Sequence, residues 1–254
     1  MNIQRFCKAS ALVAALSTPL TGHANDWQFE LEPYLFGSFI DGEASAGRVE
    51  GAAVDMDFKD DILDNLDSAL MVHMEALHGS GWGVMLDYSF MKLKNDISLP
   101  LNAELDTKMR QGVLEVDGFY RRAWGDAMID YTAGVRWWDQ DIDVELDTAV
   151  LPGDRKIDIK EDWVDVVIGA RLQQPLNDNW TFVARGDIGG FGLEADFTSQ
   201  LSVGLKYRMN DSFLLDINYK AIWVDYDNGD KGESGYFAYD TLTQGPALGL
   251  IFQF

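Results

Sequence analysis

Beyond position 7 the chain has no cysteine, and nowhere does it hold a spanning run of the roughly 18 apolar residues that a membrane helix requires. The first absence excludes a disulfide scaffold, the usual support of secreted domains with small cores. The second excludes a helical membrane protein and leaves strands untouched, because membrane strands alternate and escape hydropathy. Basic residues are also scarce. Twenty Lys and Arg face 42 Asp and Glu, for a formal charge of −22. Nucleic acid is therefore excluded as a partner, since phosphate binding needs a basic stripe. Histidine is nearly missing too, with three in the chain, and no Ser–His–Asp set is apparent.

The first 24 residues read as a secretory signal. Arg5 and Lys8 form the charged region, "ASALVAALSTPL" (9–20) the short apolar region, and "GHA" (22–24) the small-residue cleavage site. Cleavage after Ala24 would leave residues 25–254 as one domain, remove Cys7, and take the formal charge to −24. The competing reading, a buried N-terminal helix, fits the flanks less well.

What is abundant is alternation. From Trp27 onward, apolar and polar residues exchange at period 2, the signature of strands with two unlike faces. In "WQFELEPYLFGSF", Trp27, Phe29, Leu31 and Leu35 share one face and Glu30, Glu32 and Tyr34 the other. "AMIDYTAGVRW" sets Ile129, Tyr131, Val135 and Trp137 against Asp130, Thr132 and Arg136. Tight turns at 79–81, 124–126, 176–179 and 209–211 alternate with longer connections at 41–66, 96–108, 143–160, 193–198 and 227–236. Short turns at one end and long loops at the other are the habit of outer-membrane barrels.

The expected fold is all-β: a transmembrane antiparallel up-and-down barrel of about ten strands, with eight to twelve as the bracket. The strands fall near 27–40, 67–78, 82–95, 109–124, 127–142, 161–174, 178–192, 199–209, 212–226 and 239–254. Aromatics cluster near strand ends on the apolar face. Trp27, Trp82, Trp124, Trp180, Phe213, Phe252 and Phe254 mark the short-turn end; Phe39, Phe90, Trp137 and Trp223 mark the other. A soluble two-sheet sandwich is the competing reading, but it requires polar outer faces that these strands lack.

The leader, together with Leu248, Leu250, Phe252 and the terminal Phe254, resembles the C-terminal assembly signal of Gram-negative outer-membrane barrels. "FKDDILDNLDSALMVHMEALHGSGWGVMLDYSFMKL" (58–93), "RGDIGGFG" (185–192) and "GPALGLIFQF" (245–254) resemble small proteobacterial barrels grouped with the outer-membrane protein W and outer-membrane protein A barrel-like families. The resemblance spans most of the mature chain. It implies an outer-membrane location, membrane lipid and lipopolysaccharide as surroundings, and the barrel assembly machinery as a partner. It implies no agreed substrate.

The inner face divides into two zones. Toward the short-turn end it is charged: Glu30, Glu32, His73, Glu75, Asp87, Glu115, Asp117, Arg121, Asp130, Arg136, Asp165, Arg171, Arg185, Asp187, Lys206, Arg208 and Asp216. A ten-strand barrel lies between filled eight-strand barrels and open porins, so this set is expected mainly to fill the interior with ion pairs; a narrow polar path is the alternative. Toward the long-loop end the same face turns apolar: Phe36, Ile40, Met71, Met91, Leu93, Trp138, Trp163, Phe191, Ile222 and Val224. Two occupants suit such a collar. One is a plug from the first long loop, where "DFKDDILDNLD" (57–67) reads as a short helix with Asp57 as cap and Phe58, Ile62, Leu63 and Leu66 on one stripe. The other is a small hydrophobic solute, which the resemblance to the protein W family implies.

Three weaker signals have plainer explanations. His73 and Glu75 share the inner face, yet without a nucleophile no catalytic set forms, and an enzyme is not expected. The acidic runs 55–61 and 225–233 lack calcium-loop spacing and read as solvated loops rather than metal sites. Arg185-Gly186-Asp187 lies mid-strand with both charges inward, which rules out an adhesion tripeptide. No cofactor is expected. The functional expectation is a small channel or binding barrel, with a closed structural barrel as the alternative and an enzyme third.

Overall fold

In the computed structural model, residues 26–47, 49–99, 103–148, 155–233 and 235–254 are described; the expected signal segment, 1–24, lies outside them. Twelve antiparallel strands carry the chain: β1 (Trp27–Phe36), β2 (Phe39–Ala46), β3 (Val49–Met56), β4 (Leu66–His78), β5 (Trp82–Leu99), β6 (Ala103–Trp124), β7 (Ala127–Thr148), β8 (Arg155–Pro175), β9 (Trp180–Gly189), β10 (Phe197–Arg208), β11 (Phe213–Asn228) and β12 (Phe237–Gln253). Among the described residues no helix is long and apolar enough to cross a membrane.

The sheet closes on itself. Strands β4 to β12 pair in chain order, β1 pairs with β4 on one edge and β12 on the other, and β2 also pairs with β12. Pairs Phe36–Ala247 and Phe39–Gln244 follow one another along β12. Strands β1 and β2 are thus one stave bent at Gly37 and Ser38, where the Gly37 N–H donates to the Pro246 carbonyl at 2.9 Å. The barrel therefore has ten staves, and β3 is an addition that folds back on the outer edge of β2.

Local chemistry sets the turns. Gly81 and Gly125 hold φ of 91° and 62° in the two tightest connections, a region open to glycine at little cost. The Asn177 and Asn210 side chains each accept two backbone N–H groups from the residues that follow, closing the other two. Outward side chains on every stave are apolar and exposed, among them Leu35, Val135, Ile168, Leu201, Ile217 and Leu248. Rings pair across the turn end: Trp82 with Tyr120, Trp180 with Tyr207, Phe213 with Phe252, and Phe29 with Phe254.

One stretch of wall is incomplete. Pairing of β1 with β4 runs from Trp27–His78 to Pro33–Val72 and stops there. Proline has no N–H to extend the ladder, and above it β2 carries β3 instead of β4. Along Leu66–Met71, among the described residues, no strand pairs with the β1-facing edge of β4. A single π-helical turn, Phe58–Leu63, packs beside this seam. Asp57 caps it, its carboxylate accepting from the Lys59 and Asp60 N–H groups at 2.8 and 3.3 Å.

Candidate functional site

The alternation that sends apolar residues outward sends charge inward on neighbouring staves, at one height. There the lumen is bridged. Arg136 on β7, fully buried, donates to Glu115 on β6 at 2.7 Å, to Asp187 on β9 at 2.8 Å and to Thr198 on β10 at 3.0 Å. Arg185 on β9 reaches across to Glu115 and to Asp117, the latter at 2.7 Å. Arg171 on β8 spans to Glu75 on β4 at 2.7 Å and also holds Asp130, which Arg121 grips with two hydrogen bonds. On the far side Lys220 on β11 meets Asp87 on β5 at 3.3 Å, and Tyr34 donates to the same oxygen at 2.9 Å. His73 lies between Asp87 and Glu75 at 3.4 and 3.9 Å. Each guanidinium is shared among carboxylates, the condition under which buried charge is tolerated. The charged zone is a septum with one off-centre cavity of about 90 Å³ beside it, lined by Glu32, His73, Lys206, Asp216 and Lys220.

Above the septum the inner face is apolar and mostly filled. Trp138, Trp163 and Tyr226 stack in a column, with centroids 5.5 and 4.0 Å apart. Val113, Ile222, Val224, Phe237 and Tyr239 pack around it. A second cavity, of about 40 Å³, remains beside the column, bounded by Phe36, Ile40, Met71, Met91, Trp138 and Ile222. Ile62 of the 58–63 turn, 3 % exposed, is packed with Ile40, Met91 and Leu93, and the first two of these line the chamber. Lys220, which lines the cavity beside the septum, stands 6.0 Å from the Phe36 ring centre and 5.7 Å from that of Tyr34.

Several expected residues sit elsewhere. Phe191 is not in the collar: β9 ends at Gly189, and Phe191, at φ 55° in the following loop, is 53 % exposed. Ala195 of that loop fills the column's flank instead and donates its N–H to Asp165. Asp165 accepts from this N–H and from Trp163 Nε1, so it anchors the loop. The four-residue plug stripe is also corrected. A π turn puts Phe58 and Ile62 on the inner side, while Leu63 and Leu66 are exposed. Arg208 is exposed at the turn-end rim and donates to Gln253, which in turn donates to Glu30. Lys206 approaches Glu30 at 3.6 Å. Leu248, Leu250, Phe252 and Phe254 do share the outward face, opposite Ala247, Gly249 and Ile251. Lys220, Tyr34, Gln111, Phe119 and the Tyr226–Phe237–Tyr239 group were missed. Their inward parity was the available signal, and the tool needed to use it was the pairing register.

One carboxylate cluster has metal-ligand spacing: oxygens of Asp141, Asp143 and Asp158 lie within 4.8 Å of one another on the loop-end extensions. Arg110 and Lys160 already stand against Asp141 and Asp158, at 3.5 and 2.9 Å.

No protein-family model and no curated protein matches the chain. Solved structures do. The translocator domain of the autotransporter NalP from Neisseria meningitidis is similar at 10 % identity with a TM-score of 0.51, covering 98 % of this chain and 96 % of that one. The outer-membrane protease OmpT from Escherichia coli is similar at 9 % identity and a TM-score of 0.50, covering 94 % and 99 %. At such identities the likeness is one of fold: the chain has the architecture of an outer-membrane β-barrel.

Proposed function

We propose that this chain is an outer-membrane barrel that binds a small apolar solute in the chamber walled by Phe36, Ile40, Met91 and Ile222, and that it is not a water-filled pore. The observation that supports this reading is the division of the lumen. Cross-lumen ion pairs occupy its middle, and a partly empty, mostly apolar chamber lies on the loop side, with the one-turn 58–63 segment packed against its wall residues Ile40 and Met91. Apolar cavities with few polar groups are the usual form of small-molecule sites. The outward belt of apolar side chains, ringed by aromatics at the turn end, suits hydrocarbon.

The test uses the protein in lipid nanodiscs with 4-fluorotoluene as the solute, observed by fluorine NMR against empty nanodiscs. A saturable, protein-dependent signal that strengthens in Ile62→Ala supports the reading, because that substitution removes bulk packed behind the wall residues Ile40 and Met91. Absence of saturable binding in both proteins overturns it. Planar-bilayer recordings are expected to be silent; discrete ohmic openings in the wild-type protein would restore the pore.

A further inference from the structure

The chamber lining is mostly apolar; Ser38, Ser89 and Thr243 add hydroxyls, and one flank holds an amide and an indole. Gln111 on β6 and Trp138 on β7 both line it, and they are 8 % and 1 % exposed. The Gln111 carbonyl oxygen and the Trp138 indole N–H are buried with no hydrogen-bond partner. The register brings them together: Gln111 pairs with Gln140 and Val113 with Trp138. Gln111 and Trp138 are therefore diagonal neighbours on one face, roughly 7 Å apart at their bases, within reach of one shared atom. One group is an acceptor and the other a donor. Other buried side-chain atoms lack a partner too, among them those of Gln140, Tyr239 and Thr241, but they belong to residues that do not line this chamber.

We infer that the solute of this chamber carries one hydroxyl on an apolar body, in the manner of a small phenol. A hydroxyl has the two capacities the flank lacks: its O–H donates to Gln111, and its oxygen accepts from the Trp138 indole. A hydrocarbon leaves both groups unmet, which is costly for buried polar atoms. A carboxylate satisfies the indole but offers the Gln111 oxygen no proton. The apolar body then lies against Ile40, Met91 and Ile222. The cavity at about 40 Å³ admits about three waters, so binding requires the wall to give where the 58–63 turn packs behind Ile40 and Met91. This inference rests on the proposed function and narrows it to a ligand class.

The experiment compares 4-fluorophenol, 4-fluorotoluene and 4-fluorobenzoate by fluorine NMR in nanodiscs, at equal concentration in the lipid phase. The wild-type protein is expected to hold the phenol at least about tenfold more tightly than the toluene, and the benzoate no better than the toluene. In Trp138→Phe and in Gln111→Leu the phenol-to-toluene ratio should fall to about one, whatever the absolute affinities. Heat-shifted gel mobility verifies that each variant is folded, and either variant suffices. A wild-type ratio near one means that water meets the two groups, and overturns the inference while leaving the proposed function standing. Preference for the benzoate overturns it as well, and so does a ratio unchanged in a folded variant. If none of the three binds, even to Ile62→Ala, the proposed function itself falls.

Discussion

Arg136 has three partners on three different staves, and Glu115 and Asp187 have few alternatives once it is gone. Removing one member of a buried ionic set leaves the others uncompensated, at a cost of about 3–5 kcal/mol. Arg136→Ala is therefore expected to lower the temperature at which the barrel loses its heat-shifted mobility, while Lys160→Ala, an exposed pair with Asp158, leaves that temperature unchanged. Glycine offers a second test at this scale. A side chain at Gly249 would meet the Glu32 carboxylate, and one at Gly134 would meet the Val116 carbonyl and Asp117. Both are backed by main chain or buried charge, so Gly134→Val should prevent assembly, as read by loss of the folded band on unheated gels. The inward or outward sense of these residues was legible in the sequence because period 2 is a property of the backbone itself. Their partners were not. Which carboxylate Arg171 meets depends on the stagger of staves four places apart, and no local pattern encodes that.

Among the elements, regular strands were read well and irregular joints were not. Alternation located the staves, and Asn177 and Asn210 located their turns. The 58–63 segment was legible as a capped, partly apolar turn through Asp57, Phe58 and Ile62, yet its π geometry shifted the buried set away from Leu63 and Leu66. The Gly189–Gly190 pair looked like strand interior; Gly190, at φ 81°, instead ends β9 and turns Phe191 outward. The Gly37 bend was hidden for the opposite reason, since β2 resumes the same alternation beyond it. One exposed and one buried side chain of the turn give the control: Leu63→Ser is expected to leave 4-fluorotoluene affinity unchanged in the nanodisc assay, whereas Ile62→Asp, which puts a charge against the wall residues Ile40 and Met91, should abolish it.

At the scale of the whole molecule, the barrel is held without a disulfide because closure satisfies the strand edges everywhere but the β1–β4 seam and the septum ties opposite walls. Loss of the end that carries closure should be disabling. Deleting Phe252–Phe254 removes the pairs of β12 with Leu31 and Phe213 and the ring contact of Phe254 with Phe29; the expected result is a chain that fails to gain heat-shifted mobility in detergent. The protein should likewise precipitate when detergent is withdrawn, as its outward apolar side chains need an amphiphile. Ten staves were countable from sequence, since each turn left its own residues. The extra strand β3 falls in 46–57, a segment that counts as a further crossing only at the twelve-strand end of the bracket; it instead folds back on β2, and its residues, small and acidic, match neither a lipid-facing run nor a packed one.

The seam between β1 and β4 sets how the molecule stands in its bilayer. Main-chain groups without a partner are excluded from hydrocarbon, where each costs several kcal/mol, and along Leu66–Met71 one edge of β4 has no strand beside it. On this flank the oily layer must end near the Pro33–Val72 pair. On the flank of β6 to β8 the ladder continues for many residues beyond that height. The barrel axis is consequently canted, or the outer leaflet dips beside β4; depth-dependent quenching of a bimane label at Ser68, compared with one at Val164, would show the former site closer to water than a straight barrel allows.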